Sequence, residues 1–341
     1  MNITATLAAE LSATAAQIEA AVSLLDDGAT VPFIARYRKE ATGGLDDTQL
    51  RTLAERLQYL RELEERRAAV LKSIEEQGKL SDDLKAQIEA ADNKTALEDL
   101  YLPYKPKRRT KAQTARENGL QPLADLLLNE QPQDAETAAA PFVNDNVPDT
   151  KAALDGARAI LMEQFAEDAA LIGRLREKLW NEAEIHAQVV ADEEEKGEKF
   201  KDYFDHREAV RTMPSHRALA VLRGRNEGVL HIALKYQADD TPITQASEYE
   251  QIIAAQFGVS ENNKWLRDTV RLAWRAKIFL SLELEALNRL KEAADHDAIT
   301  VFARNLKDLL LAAPAGRLPT LGLDPGYRNG VKCAVVDDTG K

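Results

Sequence analysis

The chain has 341 residues, a formal net charge of −12 at pH 7 and 44% hydrophobic residues. This length is typical of two or three domains, and the hydrophobic fraction is sufficient for buried cores. The acidic balance argues against a protein that coats nucleic acid over its whole surface, because phosphate binding depends on cationic side chains. A local basic patch on an acidic body remains compatible with it.

Composition excludes several other classes. No segment reaches the roughly 18 uncharged apolar residues of a membrane span, and the N-terminus lacks the basic start and cleavage site of a signal peptide. Cys333 is the single cysteine, so an intramolecular disulfide and a cysteine-based metal cluster are ruled out. The five histidines show no ligand spacing. We therefore expect a cytoplasmic protein with no membrane contact, no metal and no cofactor.

Helical periodicity dominates the first 120 residues, with apolar residues three and four positions apart. In the short third helix, Phe33 and Ile34 are expected to face the core. The second predicted helix ends at Gly28, the third covers 33–39, and a long fourth helix runs from Asp46 or Asp47 to Gly78. Three further helices follow. One begins at Ser81, one begins at a capping box at Thr95, and one runs from Thr110 to Gly119.

The same periodicity resumes at Asp149, and the acidic run 192–195 predicts a solvated loop. Residues 229–234 alternate like a strand. The longest periodic segment begins at Trp265, and Asp297 is expected to cap a last helix. Two strands, 321–324 and 332–337, then follow a proline-containing segment and flank a turn at 325–330.

The predicted fold class is mainly α, an elongated array of helices with one small strand region. A terminal hairpin alone is marginally stable and needs further strands or a packing partner. We therefore expect the hairpin to begin a new domain, and the chain to be a fragment of a longer protein.

Three stretches carry a family resemblance. They read VPFIARYRKEATGGLDD at 31–47, DLYLPYKPKRRTKAQTARENGL at 99–120 and PTLGLDPGYRNGVKCAVVD at 319–337. Together they resemble the bacterial Tex family of transcription accessory proteins. The resemblance implies a helix-turn-helix-like unit within residues 3–27, and a YqgF domain of the RNase H-like α/β fold from near residue 320. Helix-hairpin-helix elements and an OB-fold that carries much of the nucleic-acid affinity would follow it.

With this resemblance, the expected domain organisation has four parts. Residues 1–200 form an N-terminal helical Tex-type domain, and 201–311 form a central helical region with a short strand and a long helix. Residues 312–319 are a linker, and 320–341 are the truncated first hairpin of the YqgF domain. The implied partners are nucleic acid, bound weakly without the OB-fold, and the transcription machinery.

The strongest local signal for nucleic-acid binding is a basic segment without an acid, 104–116. Tyr101 and Tyr104 lie beside it and are candidates for stacking on bases or for packing against a nucleic-acid backbone. Cations on a proline-punctuated loop before a helix suit phosphate contact. The alternative is that the loop docks on the protein's own acidic surface. The cations are Lys105, Lys107, Arg108, Arg109, Lys111 and Arg116.

Two weaker candidates remain. Arg36, Arg38 and Lys39 form a second basic cluster, for which the alternative is a structural role in pinning helices. Asp324 occupies the place at which an RNase H-like nuclease holds Mg²⁺ on its first strand. Its alternative role is to begin the turn before Pro325, and two-metal cleavage needs further carboxylates.

We accordingly expect a non-catalytic scaffold and nucleic-acid-binding module. Two alternatives stay open. The first is a nuclease-like protein whose catalytic domain begins at residue 320. The second is a helical scaffold for protein interactions, with its basic clusters used internally.

Overall fold

The computed structural model describes residues 2–105, 109–237, 242, 245–314, 316–326 and 330–341. The prediction of a mainly helical fold with a small sheet region is confirmed. None of the helices in these ranges is both long and apolar enough to cross a bilayer. The helices are α1 (Ile3–Glu10), α2 (Ala15–Asp26), α3 (Val31–Tyr37), α4 (Asp47–Glu76), α5 (Asp82–Ala90), α6 (Lys94–Tyr101), α7 (Lys111–Glu117), α8 (Gln121–Asn129), α9 (Ala135–Ala139), α10 (Thr150–Ala166), α11 (Ala169–Glu182), α12 (Ser215–Asn226), α13 (Glu248–Gln256), α14 (Lys264–Ala273) and α15 (Phe279–Leu310).

Capping side chains begin most helices where the sequence predicts them. Asp46 and Gln49 form a reciprocal capping box at the start of α4, and Asp149 caps α10. The predicted start of α6 at Thr95 is wrong. Asn93 is the N-cap, and its side-chain oxygen accepts from the amide of Ala96 at 2.8 Å.

The strand prediction for the middle of the chain is incomplete. Besides β3 (Leu230–Lys235), the chain forms β1 (Glu184–Val189) and β2 (Asp205–Ala209). All pairs are antiparallel, in the order β2-β1-β3. Ile185 and Ala187 of β1 are buried. This six-residue strand directly follows a helix with no glycine or proline between them, so sequence punctuation does not mark it.

The long periodic segment is one nearly continuous helix. A π-helical turn, Trp274–Ile278, joins α14 to α15, which continues to Leu310. The predicted new helix at Asp297 is wrong, because Asp297 lies inside α15 and accepts a hydrogen bond from the Ser215 hydroxyl. Residues 264–310 contain no glycine or proline that would interrupt a helix.

The predicted terminal hairpin is confirmed. β4 (Thr320–Gly326) pairs antiparallel with β5 (Gly330–Val336), from Thr320 opposite Val336 to Gly326 opposite Gly330. The first strand therefore extends through Pro325, where the sequence predicts a turn. The assignment of this hairpin to an RNase H-like domain stays a prediction.

The chain divides into two compact units. One contains Met1–Asn181 and Gln237–Leu284, and the other contains Glu182–Tyr236 and Glu285–Lys341. In the first unit, the apolar face of α4 contributes to two buried clusters. One cluster includes Leu7, Ile18 and Ile34, and the other includes Ile88 and Leu97. The predicted boundaries at residues 200, 311 and 320 stay predictions.

Bidentate ion pairs join neighbouring helices to the polar face of α4. The Arg56 guanidinium donates to both oxygens of Glu10 at 2.7 and 2.6 Å. Arg66 donates likewise to Glu98 on α6. Hydrogen bonds from these arginines lower the pKa of Glu10 and the pKa of Glu98 below the ordinary value of 4.5.

We expect a loss of stability in acid that depends on these two carboxylates. A pKa lowered by folding adds stability that is present above pH 4.5 and is lost as pH falls below it. The urea midpoint should therefore stay level from about pH 7 to 5 and fall below about pH 4.5. The urea midpoint of the double variant Glu10→Gln, Glu98→Gln should fall less than that of wild type between about pH 5 and pH 3. The control variant Glu40→Gln, Glu194→Gln should keep the wild-type fall, and an equal fall in all three proteins would contradict the assignment.

Candidate nucleic-acid interface

The second basic cluster, at residues 36–39, lies at the C-terminal end of α3, a helix that is anchored in the core by a buried side chain. Thr30 precedes α3, and Pro32 occupies its first turn, where a missing amide hydrogen is harmless. Ile34 is fully buried in the cluster formed with α1, α2 and α4. After the helix, the buried Thr42 hydroxyl donates to the Lys39 carbonyl at 3.1 Å.

Two glycines complete the attachment of this loop. Gly43 and Gly44 have φ angles of +60° and +91°, which favour glycine. The Gly43 carbonyl accepts a hydrogen bond from the Gln17 side-chain amide at 2.8 Å. A Cβ added at Gly43 would lie 2.9 Å from the Gln17 Cγ. The loop is therefore held against α2 by a hydrogen bond and by close packing.

The outer face of α3 carries two aromatic side chains. Phe33 is 41% exposed and Tyr37 is 65% exposed, and their ring centroids are 5.4 Å apart at an interplanar angle of 48°. The prediction that Phe33 faces the core is wrong. Adjacent helical residues point about 100° apart, so a short helix that buries Ile34 turns Phe33 toward solvent. The i, i+4 spacing of Phe33 and Tyr37 is the signal that identifies this shared face.

The cations of this segment remain available to a ligand. Arg36, Arg38 and Lys39 are exposed, and none of them forms an ion pair within the part of the chain that is described. Arg38 donates to the Tyr37 carbonyl at 3.2 Å, and its Cζ lies 5.4 Å from the centroid of Phe33. We call Phe33, Arg36, Tyr37, Arg38 and Lys39 the α3 patch.

The basic segment 104–116 is partly neutralised by the protein's own acids. Arg109 pairs with Glu117 at 2.5 Å. Arg116 pairs at 3.2 Å with Glu163, whose side chain is only 5% exposed. For these two arginines the structure matches the alternative of docking on the protein's own acidic groups.

Two other cations of the segment remain candidates. Lys105 and Lys111 are exposed and form no ion pair with a described residue. Lys107 and Arg108 lie outside the described residues. Thr110 caps α7, as predicted, by accepting from the Gln113 amide at 3.0 Å.

A cavity of about 570 Å³ lies beside this segment, between the end of α4 and α7. Glu163 lines it and also accepts from the Thr110 hydroxyl at 3.4 Å. Tyr104 is half-buried and lines the same cavity. The prediction that Tyr101 stacks on bases is wrong, because it is 6% exposed and its hydroxyl is hydrogen-bonded to Ser73.

The two remaining candidates are Asp324 and the pair of helices α1 and α2. Asp324 is exposed on β4, and its carboxylate lies 4.0 Å from the Lys332 ammonium on β5. It does not begin a turn, because β4 continues to Gly326. Within the described ranges, no group of three or more His, Cys, Asp or Glu side chains is placed to share a metal ion. α1 and α2 pack together on either side of residues 11–14, and a helix-turn-helix role for them stays a prediction.

Comparison with known proteins connects both halves of the chain to one family. Residues 1–75 match the Tex-like protein N-terminal domain, and residues 130–302 match the Tex central region. The chain is 85% identical over 341 residues to the transcriptional accessory protein Tex of Neisseria gonorrhoeae, covering all of this chain and 45% of that relative. It is 59% identical over 343 residues to the protein YhgF of Escherichia coli K12, covering 98% of this chain and 44% of that relative.

A human S1 RNA-binding domain-containing protein is 28% identical over 333 residues, or 93% of this chain and 33% of that protein. The chain thus spans less than half the length of these relatives. The two family matches together cover most of the sequence, including the α3 patch. The chain belongs to the Tex family.

Proposed function

We propose that this chain is a non-catalytic nucleic-acid-binding module of a transcription accessory protein. The names of the bacterial and human relatives point to transcription and to RNA binding for those proteins. The observation that carries the proposal for this chain is the α3 patch. It presents three cations without acidic partners among the described residues, on a chain whose net charge is −12.

Charge and geometry favour phosphate as the group that these cations contact. A guanidinium donates two parallel hydrogen bonds to phosphate oxygens, and Arg36 and Arg38 supply two such groups beside the ammonium of Lys39. The attached loop keeps these three residues close together. Contacts of this kind position a nucleic acid without selecting its sequence.

The segment 105–116 supplies a second and smaller set of contacts in this proposal. Lys105 and Lys111 contribute, and Lys107 and Arg108 are further candidates. Arg109 and Arg116 are held by Glu117 and Glu163 and contribute little. The transcription machinery is the proposed protein partner, and the cytoplasm is the compartment in which a bacterial protein would meet it.

The salt dependence of binding tests this proposal. Removing one cation that touches a phosphate should flatten the slope of log affinity against log salt by roughly 0.7 to 0.9. The variant Arg36→Ala, Arg38→Ala, Lys39→Ala should therefore lower the slope by about two, equally for unrelated sequences. Fluorescence anisotropy of a labelled RNA, titrated over a range of salt concentrations, measures the slope.

A matched variant separates specific contacts from a change in net charge. Arg51, Lys72 and Lys291 are exposed and already paired with Asp47, Glu76 and Asp295. Replacing these three by Ala removes the same number of cations and should leave the slope nearly unchanged. Equal slopes for wild type and both variants, or no binding by wild type at low salt, would overturn the proposal. The alternative of a purely protein-interacting scaffold would then be favoured.

A further inference from the structure

We infer that the α3 patch is a stacking site for unpaired bases. The inference rests on the proposed function and adds a contact with bases to the contacts with phosphate. The carrying observation is the combination of exposed, neighbouring aromatic rings with cations that have no acidic partner among the described residues, all on one short helix and the residues directly after it.

The aromatic rings are displayed in an unusual way. Burial of large apolar side chains normally stabilises a folded protein, yet Tyr37 remains 65% exposed and Phe33 41% exposed. Both lie in the first compact unit, whose core is supplied at this helix by Ile34. The exposed parts of the two rings therefore contribute little to folding. The Tyr37 ring is open to a ligand, and the Arg38 guanidinium lies over the Phe33 ring.

The order of the surrounding structure supports stacking. Ile34 beneath the helix, and Thr42 and Gly43 after it, fix the backbone that carries the rings. A ring on a fixed backbone loses less conformational entropy when a base stacks on it than a ring on a mobile segment does. Arg38 already lies over Phe33, which shows that a planar cation fits against this ring and that the ring accepts a flat partner.

The neighbouring charges select the type of ligand that brings a flat group to these rings. Arg36 shares the outer face of α3 with Phe33 and Tyr37, and Lys39 follows directly after the helix. A single strand offers a phosphate with every base, and its bases are free to leave the stack. In a duplex the base faces are covered by neighbouring base pairs. Only unpaired nucleotides can therefore stack on the rings while their phosphates contact the cations.

Two oligonucleotide probes of equal charge separate stacking from phosphate contact. One is a labelled deoxythymidine oligonucleotide of about a dozen residues, within the span of single-strand sites, and the other has the same backbone with abasic sites in place of bases. We expect wild type to bind the thymidine probe more tightly than the abasic probe. Phe33→Ala, Tyr37→Ala should weaken binding of the thymidine probe by roughly tenfold for each stacked base, with little change on the abasic probe. The slope of log affinity against log salt for this aromatic variant should remain that of wild type, because the cations that touch phosphates are unchanged.

Two further variants make the outcomes distinct. Phe33→Tyr, Tyr37→Phe exchanges the two rings and should retain binding, which guards against a loss caused by altered packing. The second variant is Arg36→Ala, Arg38→Ala, Lys39→Ala. It should bind both probes more weakly and show a flatter dependence of log affinity on log salt with each of them. If the aromatic variant binds both probes like wild type while the charge variant is impaired, the stacking site is overturned and the proposed function stands. If neither variant differs from wild type, both are overturned.

Discussion

Replacing Arg67 by Met is expected to lower the free energy of unfolding by about 4 kcal/mol, the largest effect we predict for a single substitution. Arg67 is 4% exposed, although it lies on the apolar face of α4. Its Nε donates to the Ile88 carbonyl at 3.0 Å, and its Nη2 donates to the Ala91 carbonyl. Both acceptors lie at the end of α5, where the last carbonyls have no partner within the helix.

The methionine side chain fills a similar volume and cannot donate a hydrogen bond. Two buried carbonyls would then lose their donors, at about 1–3 kcal/mol each, and Glu64 would lose the cation with which it pairs. Urea unfolding followed by circular dichroism measures the change. Arg51→Met, on the exposed face of the same helix, is the matched control and should change stability by less than about 1 kcal/mol. Similar losses in the two variants would contradict the proposed role of Arg67 as a cap for α5.

Replacing Arg116 by Ala is expected to destabilise the protein by about 2 kcal/mol and to leave nucleic-acid binding unchanged. The Glu163 carboxylate is nearly buried and would lose the guanidinium that compensates its charge. The Arg116 side chain is 40% exposed, so water screens part of the interaction and the loss is smaller than for a fully buried pair. The effect thus reflects the structural use of this arginine.

Lys111 is the matched comparison within the same basic segment. It is exposed and has no ion pair among the described residues, so Lys111→Ala should change stability by less than about 0.5 kcal/mol. In the Lys111→Ala variant, the slope of log affinity against log salt should become flatter by roughly 0.7, the change expected for one lost phosphate contact. Thermal or urea unfolding, with the anisotropy titrations, measures both quantities. A stable Arg116→Ala protein with a flattened slope would show instead that Arg116 contacts phosphate.

Local sequence determined most of the helical architecture. Capping residues such as Asp46, Ser81 and Asp149 form their side-chain bonds with amides nearby in the chain, so their pattern is visible without tertiary information. Gly28 and Gly78 likewise end helices because their positive φ angles suit glycine. The terminal hairpin followed from strand alternation and turn residues alone.

Tertiary contacts decided which charged and aromatic residues are free. The basic segment 104–116 carries more cations than residues 36–39, yet Arg109 and Arg116 are engaged by Glu117 and by Glu163, the latter 47 residues further along the chain than Arg116. Composition counts charges and does not show their partners.

The same reason explains the burial of Arg67 and the exposure of Phe33, which was predicted to face the core. Arg67 and Phe33 occupy positions that periodicity assigns only approximately, because a helix shows which residues share a face and not which neighbour covers that face. Arg67 is buried because the end of α5 supplies carbonyl acceptors, and Phe33 is exposed because α3 packs through Ile34. Such pairings join residues distant in the chain, and only the folded structure determines them.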